Sequence, residues 1–343
     1  MATDYDALLI VSFGGPEGPD DVAPFLANVL RGRPVPQDRM REVASHYAHF
    51  GGVSPINGQC RALVAALRSE LERNGPPLPI YWGNRNWHPM LVETVRQMAR
   101  DGVQHALAFV TSAYNSYSGC RQYLEDIERA RVEVGKGAPA VDKLRAFYNH
   151  PGFVEPLVDR ASAALDSLPE PRREAARLVF TAHSIPRAWA ARSDYQVQLR
   201  ETAGLVAADL GRSEWSLVYQ SRSGSVSQPW LEPDIVDHLR AVAAEGVEDV
   251  VVAPIGFISD HMEVVYDLDL DARSRAAELG LNMVRAETVG THPRFVQMIR
   301  ELVLERLAHD PKRLSRGSRG PAHDVCPADC CPVGTRPAPS EPD

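Results

Sequence analysis

Residues 249–273 read DVVVAPIGFISDHMEVVYDLDLDAR, and this stretch decides the fold. The run Asp249–Ile255 is short and almost wholly apolar, as a strand covered on both faces must be. Gly256 ends it, and Asp260, His261 and Glu263 follow at once. Glu263, Asp267 and Asp271 then recur at i, i+4 and i+8, the spacing of one helix face. A buried strand leading into a helical repeat is the pattern of parallel strands joined by helices.

The rest of the chain repeats that alternation. Apolar runs at Asp6–Ser12, Leu78–Gly83, Ala106–Thr111 and Lys143–Tyr148 predict four strands. Leu178–His183, Trp215–Gln220, Asp249–Ile255 and Leu281–Ala286 predict four more. Helical patterning lies between them, at Val43–His49, Gln59–Glu72, Leu91–Asp101, Tyr195–Leu210 and Pro233–Glu245. The fold class is therefore α/β, with two similar lobes, each a four-stranded parallel sheet flanked by helices. The expected divisions are residues 1–150, 151–310 and 311–343, with the lobe boundary near 150–175. The amphipathic stretch Pro293–His309 closes the second lobe and is a candidate to pack back on the first. No strict sequence repeat relates the halves.

Composition narrows the function. The chain has 343 residues, 44% of them hydrophobic and 24% charged, with a formal net charge of -8. Such a balance is globular, and it lacks the basic footprint of a nucleic-acid binder. MATDYDALLIVSFGG has no basic leader segment, and no window reaches the roughly 20 apolar residues of a membrane span. A soluble, cytoplasmic monomer without stable membrane insertion is expected. Three of the five cysteines crowd at Cys326, Cys330 and Cys331, in a Pro/Gly/Ser-rich tail that cannot form a core by itself. In a reducing compartment such a crowd reads as metal ligation sooner than as disulfides.

In an open parallel sheet, ligands bind beyond the carboxyl ends of the strands. Ser12–Gly15, Asn84-Arg85, Ser112–Tyr114, His183-Ser184 and Gly256-Phe257 all follow predicted strands. A neutral imidazole at the end of VFTAHSIP can take a proton or a metal near neutral pH. The carboxylate stripe repels itself unless a cation is near; a hard divalent ion is one reading, a solvated acidic face the other. Three tail thiolates leave a four-ligand site one short, and zinc or an iron–sulfur cluster would suit them.

Several motifs together resemble the ferrochelatases. They are LIVSFGGPE, HYAHFGGVSPING, VFTAHSIP, YQSRSG followed by PWLEPD, and PIGFISDHMEVVYDLD, spread over about residues 6–310. NRNWHP and SYSGCRQY are most similar to the actinobacterial coproporphyrin III ferrochelatases. The resemblance implies the chelatase fold, two Rossmann-like lobes with a porphyrin in the cleft, and insertion of Fe²⁺, as substrate, to give coproheme. It implies that His183 handles the pyrrole protons or receives iron, that Glu263 faces it across the ring, and that Asp267 and Asp271 form an outer metal line. Tyr47 and Ser54 match positions that grip porphyrin propionates, with Arg31 and Tyr123 as further partners and Arg33 at the rim. Phe13 packs against the ring, where many relatives carry tyrosine. Trp87 and Trp230 are expected to pack only. Cys120 joins Cys326, Cys330 and Cys331 around a [2Fe–2S] cluster, a Cys₄ zinc site being the competitor, and Cys60 stands aside. Protoporphyrin IX as substrate, a sirohydrochlorin-type chelatase loading cobalt or nickel, and a non-catalytic tetrapyrrole or iron carrier are the rival readings.

Overall fold

The computed structural model describes residues 5–31, 37–223, 228–327 and 329–332. The first half holds β1 (Ala7–Ser12), β2 (Ile80–Asn84), β3 (His105–Val110) and β4 (Ala140–Lys143), all parallel, in the order β2-β1-β3-β4. The second half holds β5 (Arg177–His183), β6 (Trp215–Gln220), β7 (Asp249–Ala253) and β8 (Asn282–Arg285), again parallel, in the order β6-β5-β7-β8. Both sheets carry a switch point, between β1 and β3 and between β5 and β7, where successive crossovers leave in opposite directions. The loops there diverge and leave a crevice at the carboxyl ends.

Helices α1 (Pro19–Val29), α2 (Gln37–Ala48), α3 (Ile56–Asn74), α4 (Leu91–Arg100) and α5 (Gln122–Val134) flank the first sheet. The second has α6 (Pro151–Asp166), α7 (Glu170–Arg173), α8 (Arg187–Ala190), α9 (Tyr195–Asp209), α10 (Ile235–Ala244), α11 (Met262–Val265), α12 (Arg273–Glu278) and α13 (Pro293–Leu307). Two π-helical turns, Tyr117–Arg121 and Asp267–Ala272, interrupt this pattern. Among the described residues no helix is long and apolar enough to cross a membrane.

One core runs through both halves. The face expected of α13 is the one it buries: Phe295, Met298, Ile299, Leu302 and Val303 are all at most 1% exposed. At about 2 kcal/mol each, their burial contributes on the order of 10 kcal/mol. The helix packs on α3 from the first half and α6 from the second, so it joins the two. Phe109, Phe147, Phe153 and Phe295 meet at its foot, with Phe109 and Phe147 stacked at 5.2 Å. Beside them Arg145 makes a two-pronged pair with Glu305, at 2.7 and 2.9 Å, with both side chains buried. Removing one partner of such a pair costs about 3–5 kcal/mol.

Two expectations need correction. The fourth strand is Ala140–Lys143, not Lys143–Tyr148. Leu144 still donates to Ala108 O at 2.8 Å, but Arg145 then turns away to Glu305, and the apolar residues that follow fill the core as irregular chain. The acidic stripe does not lie on one regular helix either. Asp271 N reaches back five residues to Tyr266 O at 2.9 Å, and this π step rotates Asp271 off the line of Glu263 and Asp267.

His150 gives the fold a measurable acid limb. Its Nδ1 accepts from Gly152 N at 3.0 Å, capping α6, and the ring is fully buried. Burial, then the charges of Arg145 and Arg294, hold its pKa down to about 3. Glu301 lies 3.6 Å away but is already engaged by Arg294 at 2.9 Å. A histidine kept neutral in the fold contributes stability above its unfolded pKa, near 6.5, and loses it as pH falls from there toward the folded value. Unfolding free energy measured by denaturant titration should therefore fall more steeply below pH 6.5 in wild type than in His150→Gln, by up to about 1.4 kcal/mol per pH unit. Parallel slopes would contradict this account.

Candidate active site

His183 is the last residue of β5, paired in register with Gln220 at the end of β6. Its Nδ1 bonds Ser184 O, and Tyr195 Oη donates to its carbonyl at 2.9 Å, so both ring and backbone are fixed. Burial pushes the imidazole pKa down, against the pull of Glu263, and keeps the ring neutral. The segment carrying Glu263 leaves β7 through Gly256. A Cβ there would lie 2.6 Å from both Cα and Cβ of Ala182, so only glycine lets this loop pass beside the end of β5.

Glu263 sits in the first turn of α11. Its Oε2 is 2.5 Å from His261 Nδ1, which also lies 3.2 Å from Glu263 N; the shorter, charge-assisted contact defines the pair. Burial alone would raise the Glu263 pKa, but the charge and hydrogen bond of His261, then His183, bring it down to about 2. His261 moves the other way, raised by Glu263 despite its own burial. Asp267, one turn on, is pushed up to about 7 by burial, although the Ser221 hydroxyl donates to it.

The neighbouring acids are neutralised. Arg285 pairs with Asp269 at 2.7 Å and with Asp260 at 3.3 Å. Among the described residues, no Lys or Arg lies within ion-pair distance of Glu263 or Asp267. These two are half-buried carboxylates without a fixed cation, which disfavours the reading of a solvated acidic face. Asp271 is exposed, 3.7 Å from Arg275.

Over this segment lie α1 and α2. Val22, Phe25, Leu26 and Tyr47 form a small core with Met262, and Phe13, Trp87 and Tyr266 border it. Phe13 is 6.2 Å from Phe25 and Tyr47 is 5.9 Å from it, both edge-on. His46 stacks on Tyr266 at 3.7 Å, tying α2 to the acidic segment. Tyr47 lies in the field of Glu263, and burial raises its pKa. Ser54 is buried against the Phe13–Gly15 loop, its N–H bonded to Pro16 O at 2.9 Å. Arg31 is exposed at the end of α1 and holds Asn28 at 2.6 Å. Tyr123 lies at the start of α5 beneath the Arg85 guanidinium at 4.5 Å, and the same guanidinium lies over the Phe13 ring at 5.8 Å. Arg33 lies outside the described residues. The structure thus gathers His183, Glu263, Asp267, Tyr47 and Phe13, leaves Asp271 and Arg31 at the surface, and buries Tyr123 behind Arg85. Sequence spacing alone does not single out His261, Gln220 or Ser221, whose parts here depend on the folded backbone.

The tail forms a second centre. Cys120, in the first π-turn, has its Sγ 3.9 Å from that of Cys326; Cys330 and Cys331 Sγ are 3.7 Å apart. Both separations match the edge, about 3.8 Å, of a tetrahedron with 2.3 Å metal–sulfur bonds. Each pair is thus spaced as two thiolates on one metal ion would be. His323, unmarked in the sequence reading, adds Nε2 at 3.8 Å from Cys330 Sγ and shares a compact donor group with Cys326 and Cys330. Cys60 is remote, its Sγ bonded to Ser12 Oγ at 3.2 Å. Polar contacts with both halves also fasten the tail. Arg316 holds Asp209 at 2.7 Å, Asn149 holds Gly320 O at 2.8 Å, and Glu201 accepts from Ser318 N at 3.1 Å.

Comparison with known proteins supplies context. The profile of a family described as Ferrochelatase matches residues 5–307. A protein of Rhodopirellula baltica named Ferrochelatase is 55% identical, over 95% of this chain and 93% of its own. Proteins of Streptomyces griseus and Nocardia farcinica named Coproporphyrin III ferrochelatase are 52% and 53% identical, covering 96% and 97% of this chain and 94% and 98% of theirs. Among solved structures, SirB from Bacillus subtilis with Fe³⁺ aligns with a TM-score of 0.56 at 12% identity, over 88% of this chain and 95% of its own. CbiX, described as the terminal enzyme of siroheme biosynthesis in denitrifying bacteria, aligns at 0.52 and 15% identity, over 88% and 100%. At such identities these two speak for the fold alone.

The thiol geometry predicts a spectroscopic outcome. Metal-free protein titrated with Co²⁺ should develop thiolate-to-cobalt charge-transfer absorption; Cys326→Ser should remove most of it, and Cys60→Ser none. Loss of the band in Cys60→Ser would show that the tail cysteines are not its origin.

Proposed function

This chain belongs to the ferrochelatase family, and on that premise we propose that it converts coproporphyrin III to coproheme, with His183 and Glu263 working from opposite sides of the ring. The reaction class is insertion of ferrous iron into a porphyrin for heme biosynthesis. The observation that carries the residue assignment is a neutral imidazole at the end of β5 within the electrostatic reach of an ionised carboxylate that follows β7.

Metallation breaks two pyrrole N–H bonds and forms four nitrogen–iron bonds. His183 is the base: with Nδ1 fixed, the other nitrogen of its neutral ring accepts one pyrrole proton, passes it to solvent water, and is then free to accept the second. Glu263, kept anionic by His261, balances the positive charge that passes the ring. Asp267 and then Asp271 lead outward, hard oxygen donors that bind Fe²⁺ and let it go. Phe13, Tyr47 and Met262 offer an apolar bed in which a puckered ring fits better than a flat one, which is catalysis by differential binding. Arg31, Tyr47, Ser54 and Tyr123 are assigned to the porphyrin side, Arg31 supplying the charge for a propionate.

Cys120, Cys326, Cys330 and Cys331 would hold a [2Fe–2S] cluster, which when bound supplies a redox- and iron-responsive cross-link between tail and first lobe. Lys143 shares a small cavity with Cys120; the hydrogen bond between the two thiols, then burial, raises the pKa of Cys120 against the pull of Lys143, while the same bond lowers that of Cys326. We place the protein in the cytoplasm as a monomer, with lobes at 1–150 and 151–310 and the tail beyond.

Anaerobic absorbance assays with Fe²⁺ should show the free-base bands of coproporphyrin III giving way to a metalloporphyrin spectrum, faster than with protoporphyrin IX. His183→Ala should slow the rate about 10²–10⁴-fold. Binding of porphyrin without turnover by wild type would instead indicate a carrier.

A further inference from the structure

The end of β6 does more than complete a sheet. Gln220 and Ser221 lie in YQSRSG, beside His183, and both reach across to the acidic segment. The buried Gln220 amide Nε2 donates to the backbone oxygen of Glu263, while Gln220 O accepts from Ser184 N at 2.8 Å. Its other amide oxygen is buried and makes no hydrogen bond. Such a group is costly to bury for packing alone, and an apolar side chain would avoid the cost. Ser221 follows with a φ of +63°, in the left-handed region that glycine adopts freely and serine does not. Its hydroxyl donates to Asp267 Oδ2.

From this geometry we infer that Gln220 and Ser221 form a positioning corner, which holds the Glu263 turn and the Asp267 carboxylate at a fixed distance from His183. Gln220 spans the two sides of the site: one edge of its strand is in register with His183, and its side chain holds the peptide that carries Glu263. Ser221 aims Asp267. Backbone strain at a functional site persists where surrounding structure enforces it. Here the strained residue keeps a hydroxyl that glycine would lack. Neither residue touches the reacting nitrogens; each acts through a neighbour. The inference rests on the reading of Glu263 and Asp267 as the metal-handling carboxylates.

Ser221→Gly separates the two roles a strained serine can have. If the residue serves the backbone only, glycine is the better choice and iron kinetics stay at the wild-type value. If it aims Asp267, the variant melts at the same or a higher temperature, yet its KM for Fe²⁺ rises about tenfold, as for loss of an outer-shell partner of a metal ligand. The KM for porphyrin is unchanged in that case. Gln220→Met, similar in size, should lower kcat several-fold with little change in either KM. Asp267→Asn is run alongside. A raised iron KM in Asp267→Asn with a wild-type value in Ser221→Gly overturns the positioning corner alone. Wild-type iron KM in both overturns the reading of Asp267 as well.

Discussion

Parallel strands covered on both faces leave polar groups only their ends, and the rest of this structure depends on that constraint. β5 and β7 are buried along their length, so the first residues free to be polar are His183 on one and the 256–263 loop on the other. The switch point sends their onward chains apart, and the His183 imidazole and Glu263 carboxylate lie close enough there to feel each other's charge. Gly256 lets the loop pass close to β5, Tyr195 and Ser184 lock the histidine, and Gln220 links it to the glutamate's peptide.

A half-buried carboxylate must still be compensated, and here the compensation is selective. A guanidinium, Arg285, neutralises Asp260 and Asp269, which face away from the line. A titratable imidazole, His261, serves Glu263, and a neutral hydroxyl serves Asp267. A permanent charge beside either would compete with an incoming divalent cation, whereas an imidazole can give up its proton and a hydroxyl carries no charge.

The sequence carried much of this plainly. Apolar runs bounded by glycine marked seven of the strands closely, and the periodicity of 293–309 named the face that α13 buries. His183 stands out in the sequence because it closes an apolar strand, and Glu263 because it opens the acidic repeat after β7. What was not legible depended on distant partners. Leu144–Tyr148 looks like a strand until Arg145 meets Glu305, 160 residues away. The π step between Tyr266 and Asp271 leaves no mark in residue spacing. The tail's composition hid its fastening, because Arg316 and Gly317 find Asp209 and Glu201 only in the folded chain. Gln220 and Ser221 carry their meaning in backbone geometry, which a motif alone does not express.

That clasp has a consequence for the timing of synthesis. Cys120 leaves the ribosome 206 residues before Cys326, with all of the second sheet made in between. The first lobe can fold early, but its thiol does not meet Cys326 until the chain around Arg316 and Gly320 has settled against Asp209 and Asn149. The sulfur centre therefore closes last, after both sheets exist and lie side by side. A nascent chain halted anywhere in the second half would present the same first lobe with an unclaimed cysteine, so the completed centre marks a chain whose two halves have already found each other.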